Sequence, residues 1–304
     1  MHDETHLPRR ALGAGLAVAV TTPRNARAAA PLEALLEATA LRDGYVAAAP
    51  AEALRSEEMF FRALRGERGA ALEDGFRGLG FVMERLGLGG ETLAVVREAP
   101  GAGTGKGLYV LRAPVGISPV ALQAPHRDDD LDTGRILARL LAEERRFAAA
   151  AWNTLPRRSE DAAGRRVDSD LAHAPVSHLN AFTRAFGRAH PSGLVAQIHG
   201  FDAARRGESA AGGAEMIASG ATTAPGPAVR ASAACLRGTW RVLLYPQEVR
   251  ELGGTTNANA AALRALGGTA EFLHLEIARD IRRELARDAQ ARARLAACLV
   301  GAGR

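Results

Sequence analysis

Val120-Ala121-Leu122-Gln123-Ala124-Pro125-His126, running on into Arg127-Asp128-Asp129-Asp130-Leu131-Asp132-Thr133-Gly134, is the stretch on which the fold of this 304-residue chain turns. Val120 to Gln123 reads as a strand, Pro125 and the acids that follow read as a loop, and the apolar spacing from Thr133 to Ala142 is helical. Downstream the same alternation continues. Strands are predicted at Ala148–Trp152, Leu194–Ile198, Met216–Ala218, Trp240–Leu244 and Ala270–Leu275. Helices are predicted at Val176–Arg188, Pro227–Leu236 and Asn259–Leu266, with a long closing helix over Ile277–Ala297. Alternation of this kind predicts an α/β fold with a central mixed, largely parallel sheet flanked by helices. In such sheets functional residues gather where strands end.

Upstream, Pro31 to about Leu88 reads as an N-terminal helical segment, with Leu32, Leu35 and Leu36, and later Leu79, Val82, Met83 and Leu86, at three- and four-residue spacing. Gly87 to Gly90 ends it. Thr92–Val96 and Leu108–Leu111, joined by the turn Gly101 to Gly107, predict a hairpin. Gly105-Lys106 in that turn is not a phosphate loop, because Pro100 replaces the first glycine, Gly107 replaces the magnesium-binding Ser or Thr, and a strand follows. The first thirty residues have the layout of an export signal: Arg9-Arg10, the apolar run Ala11 to Val20, then Ala26-Arg27-Ala28 before Ala29. The arginine pair resembles a twin-arginine signal, which implies a periplasmic or secreted protein whose mature chain begins near Ala29.

With 47% apolar and 24% charged residues the composition is globular, and disorder and collagen-like repeats are excluded. No clean apolar run is long enough to predict an integral membrane segment in the mature chain. The formal net charge is +5, and Lys106 is the only lysine. The arginines are interleaved with acids, as in Arg279 to Arg287 with Asp280 and Glu284, which describes solvated helix surfaces and argues against nucleic-acid binding. Cys235 and Cys298 are too few for a disulfide scaffold. Each sits in an Ala-rich helical stretch, which favours buried free thiols, although export would allow them to pair.

Three predicted strands run into residues that bind metal or move protons. His126 follows the first, with Asp128, Asp129, Asp130 and Asp132 close behind. His199 follows Leu194–Ile198, and Glu276 follows Phe272–Leu275, on the same strand face as His274. Two histidines and a carboxylate form a three-ligand zinc set that keeps a position for water. A separate glutamate, Glu276, then serves as general base. The acidic run lacks the regular spacing of a calcium loop, and Ser-His-Asp catalysis lacks its Gly-x-Ser-x-Gly elbow. His173 is a substitute ligand, whereas His178 and His190 read as structural.

These motifs, taken together with Trp152-Asn153-Thr154-Leu155-Pro156-Arg157, Gln197-Ile198-His199-Gly200-Phe201 and Phe272-Leu273-His274-Leu275-Glu276-Ile277 leading into Arg279 and Arg282, resemble the zinc carboxypeptidase superfamily over roughly residues 120–285. Within it the chain looks closest to the N-formylglutamate amidohydrolase and poly-gamma-glutamate hydrolase branches. The resemblance implies His126 and His199 as zinc ligands, Asp130 or, by the His-x-x-Glu pattern, Asp129 as the third, and Glu276 as base. It further implies Asn153 and Arg157 as substrate-carboxylate ligands, Arg157 also acting in catalysis, with His274 lining the pocket. The implied activity is hydrolysis of an amide bond in a carboxylate-bearing small molecule or peptide by metal-bound water. A peptidoglycan-directed carboxypeptidase or amidase, and an exported binding protein on the same fold, are the alternatives. The resulting domain reading is an export signal at 1–30, a helical segment and hairpin at 31–118 packed on the main domain, and an α/β hydrolase domain at 119–304.

Overall fold

A computed structural model describes residues 24–161 and 163–303. The arginine pair and apolar run of the export reading lie outside the described residues. Helices α1 (Arg24–Ala38), α2 (Pro50–Leu64) and α3 (Ala70–Arg77) come first, followed by strands β1 (Phe81–Leu88), β2 (Glu91–Glu98), β3 (Leu108–Leu111) and β4 (Ser118–Ala124). Then come α4 (Thr133–Glu143), β5 (Phe147–Trp152), the short strands β6 (Arg158–Glu160) and β7 (Arg166–Asp168), α5 (His178–Ala189) and β8 (Leu194–Phe201). The chain closes with β9 (Met216–Ser219), α6 (Pro227–Leu236), β10 (Val242–Leu244), α7 (Ala258–Arg264), β11 (Glu271–Ala278), α8 (Arg279–Arg287) and α9 (Ala289–Ala302).

Nine strands form one sheet in the order β1-β2-β3-β5-β4-β8-β11-β9-β10, and β6 and β7 pair separately. The central strands β5, β4, β8 and β11 run parallel to one another. They are buried on both faces, so they read in sequence as near-continuous apolar runs. Strand alternation sorts their side chains. Leu122, Ala150, Ala196 and Leu275 pack in one core with residues of α1, α4, α6, α8 and α9, while Ala121, Ala149, Val195 and Phe272 pack in the other with residues of α2, α3, α5 and α7. His199, His274 and Glu276 share the second face with Val195 and Phe272. Among the described residues no helix is long and apolar enough to cross a membrane.

Three sequence expectations change. Phe81–Leu88 is a strand, not the end of a helix. It pairs antiparallel with β2 through a Gly89-Gly90 turn, and glycines at positive φ (Gly80, Gly89, Gly90) bracket it and stop any helix there. In the strand the apolar residues divide between the two faces: Met83 packs with Leu79 and Phe81 in one core, and Leu86 packs with Leu88 against the other. The closing helix is two helices preceded by strand. Ala278 still pairs with Phe201, and Asp288 breaks the helix and caps α9 by accepting from Gln290 N at 2.7 Å. Finally, Cys235 and Cys298 are not free thiols. Helices α6 and α9 lie side by side, bring the two Cα atoms to 5.5 Å and are joined by a disulfide.

The hairpin β2–β3 forms, and β3 pairs with β5, so it continues the main sheet. In the turn before β3 the backbone amides of Thr104 and Gly105 donate to the Glu98 carboxylate, at 2.5 and 3.0 Å, and the Lys106 ammonium pairs with Glu52. Glu52 also lies 3.4 Å from His178 Nε2, and Ser56 Oγ lies 2.8 Å from His178 Nδ1. Burial, helped by the Lys106 charge, pushes His178 down to about 4. The unfolded chain, with an ordinary histidine near 6.5, therefore binds the extra proton between those values, and stability falls as pH drops through that window. Unfolding by denaturant is expected to lose about 2 kcal/mol from this group between about pH 7.5 and about pH 5. His178→Gln should flatten the slope by that amount, and an unchanged slope would exclude His178 as its source.

Candidate metal centre

The end of β4 delivers His126 into a tight turn. Asp130 N donates back to His126 O at 2.7 Å, and Thr133 closes the turn through its amide and hydroxyl on Asp130 O at 3.1 and 2.7 Å. One helical turn after His126, the Asp130 carboxylate is thereby folded back beneath the imidazole. His199 comes from the end of the neighbouring parallel strand β8, and Glu276 sits directly opposite it on β11. All four are buried.

His126 Nδ1, His199 Nδ1 and Asp130 Oδ2 form a triangle with sides of 3.0, 3.3 and 3.4 Å. A tetrahedral zinc with bonds of about 2.0–2.1 Å has donor–donor edges of about 3.3–3.4 Å, so the triangle matches one face of such a site. The outer nitrogens fix the tautomers. His126 Nε2 lies 2.7 Å from Asp170 Oδ1, and His199 Nε2 lies 2.7 Å from Gln197 Oε1. A ring nitrogen against an acceptor carries the hydrogen, so in the neutral rings both Nδ1 lone pairs face inward beside the carboxylate. That set is mutually repulsive unless it shares a cation. In this structure the guanidinium of Arg157 stands in for one, with Nη2 at 2.5 Å from His126 Nδ1 and at 3.3 and 3.4 Å from the two Asp130 oxygens.

The electrostatics agree with a cation-binding set. Burial alone would raise the Asp130 pKa; with the two imidazoles protonated on Nδ1, their hydrogen bonds and charge hold it well below the usual carboxylate range, the part a shared cation would play against the neutral rings. Asp170 is lowered to about 2, its bond to His126 likewise overcoming burial. Burial and the neighbouring His274 push His199 down to about 4. Burial also works against a charged His126, but its two carboxylate partners outweigh this and raise it. Glu276 is lowered, since the hydrogen bond from His274 and the nearby imidazoles overcome its burial.

The side chain of Asp129 points away, accepting from Arg157 N at 2.8 Å. Asn153 is buried and spent on the backbone: Nδ2 donates to Ser169 O at 3.3 Å and Oδ1 accepts from Leu155 N at 3.2 Å. Glu276 Oε1 is 3.2 Å from His274 Nε2, whereas its Oε2 and His274 Nδ1 are buried without a partner among the described residues. The His199 and His274 rings lie 4.3 Å apart. A cavity of about 360 Å³ opens onto these groups, lined by His126, His199, His274, Glu276, Arg157 and Arg250. His173 stands at its rim, with Nδ1 at 3.1 Å from Thr256 O, outside the three-donor cluster.

Arg282 ties the site together from behind. Its guanidinium donates to Leu131 O at 2.8 Å, to Phe201 O at 3.2 Å and to Ile277 O, and these carbonyls belong to the three segments bearing Asp130, His199 and Glu276. Gly200 leaves the room it needs, since a Cβ there would lie 2.3 Å from Arg282 Nη1.

Sequence reasoning did not find Asp170, Gln197, Arg250 or Asn257. Gln197 alone had a local signal, two residues before His199 on the same strand face. Arg250, without an ion pair among the described residues, is one arginine among many in the sequence.

No family model matches this chain, and no curated protein matches it. Among solved structures it is similar to proteins described as a "putative metallopeptidase" from Shewanella baltica OS155 and from Shewanella amazonensis SB2B. Each is 12% identical with a TM-score of 0.34, covering 82% of this chain and 90% and 92% of theirs. It is also similar to the LapA aminopeptidase of Legionella pneumophila, at 9% identity and a TM-score of 0.36, over 99% of this chain and 78% of that one.

Proposed function

We propose that the protein is an exported zinc-dependent hydrolase that cleaves an amide bond in a carboxylate-bearing substrate. The observation that carries this reading is the triangle of His126 Nδ1, His199 Nδ1 and Asp130 Oδ2 beside the unpartnered Glu276 Oε2 in one cavity. Two imidazoles and one carboxylate suit zinc and leave a coordination position open. A zinc ion there supplies a water of pKa about 7 and a Lewis acid for the scissile carbonyl.

The chain's own groups do the rest. Glu276 Oε2 accepts the proton that the attacking water gives up as its oxygen bonds the carbonyl carbon, and returns it to the departing amine nitrogen as the C–N bond breaks. His274 Nε2 steadies Oε1, which leaves Oε2 as the atom that exchanges the proton. Arg157 and Arg250 give the cavity two planar donors suited to a substrate carboxylate. Disulfides persist in oxidising compartments, so the Cys235–Cys298 bridge supports export.

The test is elemental analysis of the purified full chain, coupled to hydrolysis assays on N-acyl amino acids and γ-glutamyl peptides with acidic and neutral side chains. About one zinc per chain is expected. Activity should be lost to a chelator, restored by zinc and highest on carboxylate-bearing members. Undiminished hydrolysis by fully chelated protein would exclude the proposal.

A further inference from the structure

A chain of buried side chains runs inward from His199, and each link has only one workable orientation. Thr183 Oγ1 donates its hydrogen to Leu179 O at 2.9 Å, one turn back in α5, so towards Gln123 it can only accept. Gln123 Nε2 takes that place at 2.8 Å, which turns Gln123 Oε1 towards β8. There it accepts from Gln197 Nε2 at 2.8 Å, between residues in register on the adjacent parallel strands. Gln197 Oε1 is left facing His199 Nε2.

The far end is anchored separately. Asn257 Oδ1 caps α7, accepting from Asn259 N at 3.0 Å and Ala260 N at 3.1 Å, so its Nδ2 is the donor that meets Gln197 Oε1 at 2.5 Å. A flipped Gln197 would set its NH2 against the Asn257 NH2 on one side and the Gln123 and Gln197 oxygens against each other on the other. Gln123, Thr183 and Gln197 are completely buried and Asn257 nearly so, which leaves water no place to relieve such a clash.

We propose that Gln197 is a positioning residue that locks His199 in the Nε2–H tautomer, through a hydrogen-bond chain set at one end by Thr183 and at the other by Asn257. The lock holds the Nδ1 lone pair towards the cavity whether or not a metal is bound. That this lone pair serves a zinc ion rests on the function proposed above. His126 is held differently. Its partner Asp170 accepts through either carboxylate oxygen and needs no orienting chain. Asn257 also lines the cavity, so the wall of the pocket is fixed by the same hydrogen bonds as the ligand.

The experiment is long-range 1H–15N NMR of the imidazole rings in the metal-free full-length protein at about neutral pH, with His199 assigned by its loss in His199→Gln, together with zinc affinity by competition with a chromophoric chelator. The wild-type His199 ring should show only the Nε2–H tautomer, and an Nδ1–H ring would overturn the proposal without any further variant. Gln197→Leu should mix the tautomers and weaken zinc binding by about 10- to 100-fold. Gln197→Glu keeps an acceptor for Nε2 and, held as the neutral acid in this buried place, also a hydrogen for Gln123 Oε1 without turning that amide, so tautomer and affinity should both be restored. Thr183→Val, which frees Gln123 to flip, should mix the tautomers to a smaller degree and carries the test should Gln197→Leu not fold. A single Nε2–H tautomer in folded Gln197→Leu, with zinc affinity within about twofold of wild type, would remove the role given to Gln197. Absence of zinc binding alongside a locked Nε2–H ring would instead sink the metal-dependent function and leave the positioning role standing.

Discussion

A Glu276→Gln variant is expected to keep its fold and its zinc while hydrolysis of the best wild-type substrate falls by about a hundredfold or more. The substitution preserves the side chain's shape and an amide oxygen to accept from His274 Nε2, where Oε1 accepts now at 3.2 Å. It removes the one thing the role requires, a second oxygen able to take up a proton. The competing explanation for a glutamate at this position is that it begins the last helices, where a negative charge meets the helix dipole. That explanation has no geometry here: Glu276 lies within β11, α8 starts at Arg279, and the acid in its first turn is Asp280. General base catalysis contributes about 10²–10⁴-fold, which sets the size of the expected loss. The measurement is kcat alongside zinc stoichiometry on the same preparation. Near-wild-type kcat at full zinc content would take Glu276 out of the proton path.

His126→Ala and His199→Ala are each expected to reduce bound zinc from about one per chain to near zero, and hydrolysis with it. Each removes one corner of the donor triangle and leaves a buried carboxylate short of a partner, so some loss of stability should accompany the loss of metal. Asp130→Asn and Asp129→Asn separate the two aspartates that the sequence left as alternatives. Asp130 is the carboxylate within reach of both imidazoles, whereas Asp129 is occupied by the backbone of Arg157. Zinc should therefore be lost in Asp130→Asn and kept in Asp129→Asn. Elemental analysis decides it, and full zinc in both histidine variants would mean that the metal is held elsewhere.

The strands that carry the site were legible because strands buried on both faces are written as near-continuous apolar runs; Leu194–Ile198 and Phe272–Leu275 are interrupted only by Gln197 and His274 and are too short for a helix of ordinary length. Phe81–Leu88 was not legible for the opposite reason. Its apolar residues fit a helical period, and only its pairing with Glu91–Glu98 decides between the two. The choice between Asp129 and Asp130 depends on where a tight turn aims each side chain, and adjacent residues of one type look alike in sequence. Asp170 and Asn257 reach the histidine network from loops 44 residues after His126 and 60 residues after Gln197. No local pattern marks such partners, since neither strand nor helix periodicity extends through the loops that bring them in. Cys235 and Cys298 escaped for a related reason: each stretch reads correctly as helix, and their meeting depends on how two helices pack.

The Cys235–Cys298 bridge spans 63 residues and makes that part of the chain a covalent ring. Arg250, Asn257, His274, Glu276 and Arg282 lie inside the ring, while His126, Asp130, Asp170 and His199 lie outside it. A single protease cut in the exposed stretch around Arg250 therefore opens the ring without dividing the molecule, and no fragment leaves until the bridge is reduced. Until then the piece bearing Glu276 stays tethered beside the piece bearing His126 and His199, at the high local concentration of a linked segment, with strand β11 paired to β8 in the intact fold. In an oxidising compartment with proteases at hand, a nicked chain is still one covalent molecule containing every residue of the site.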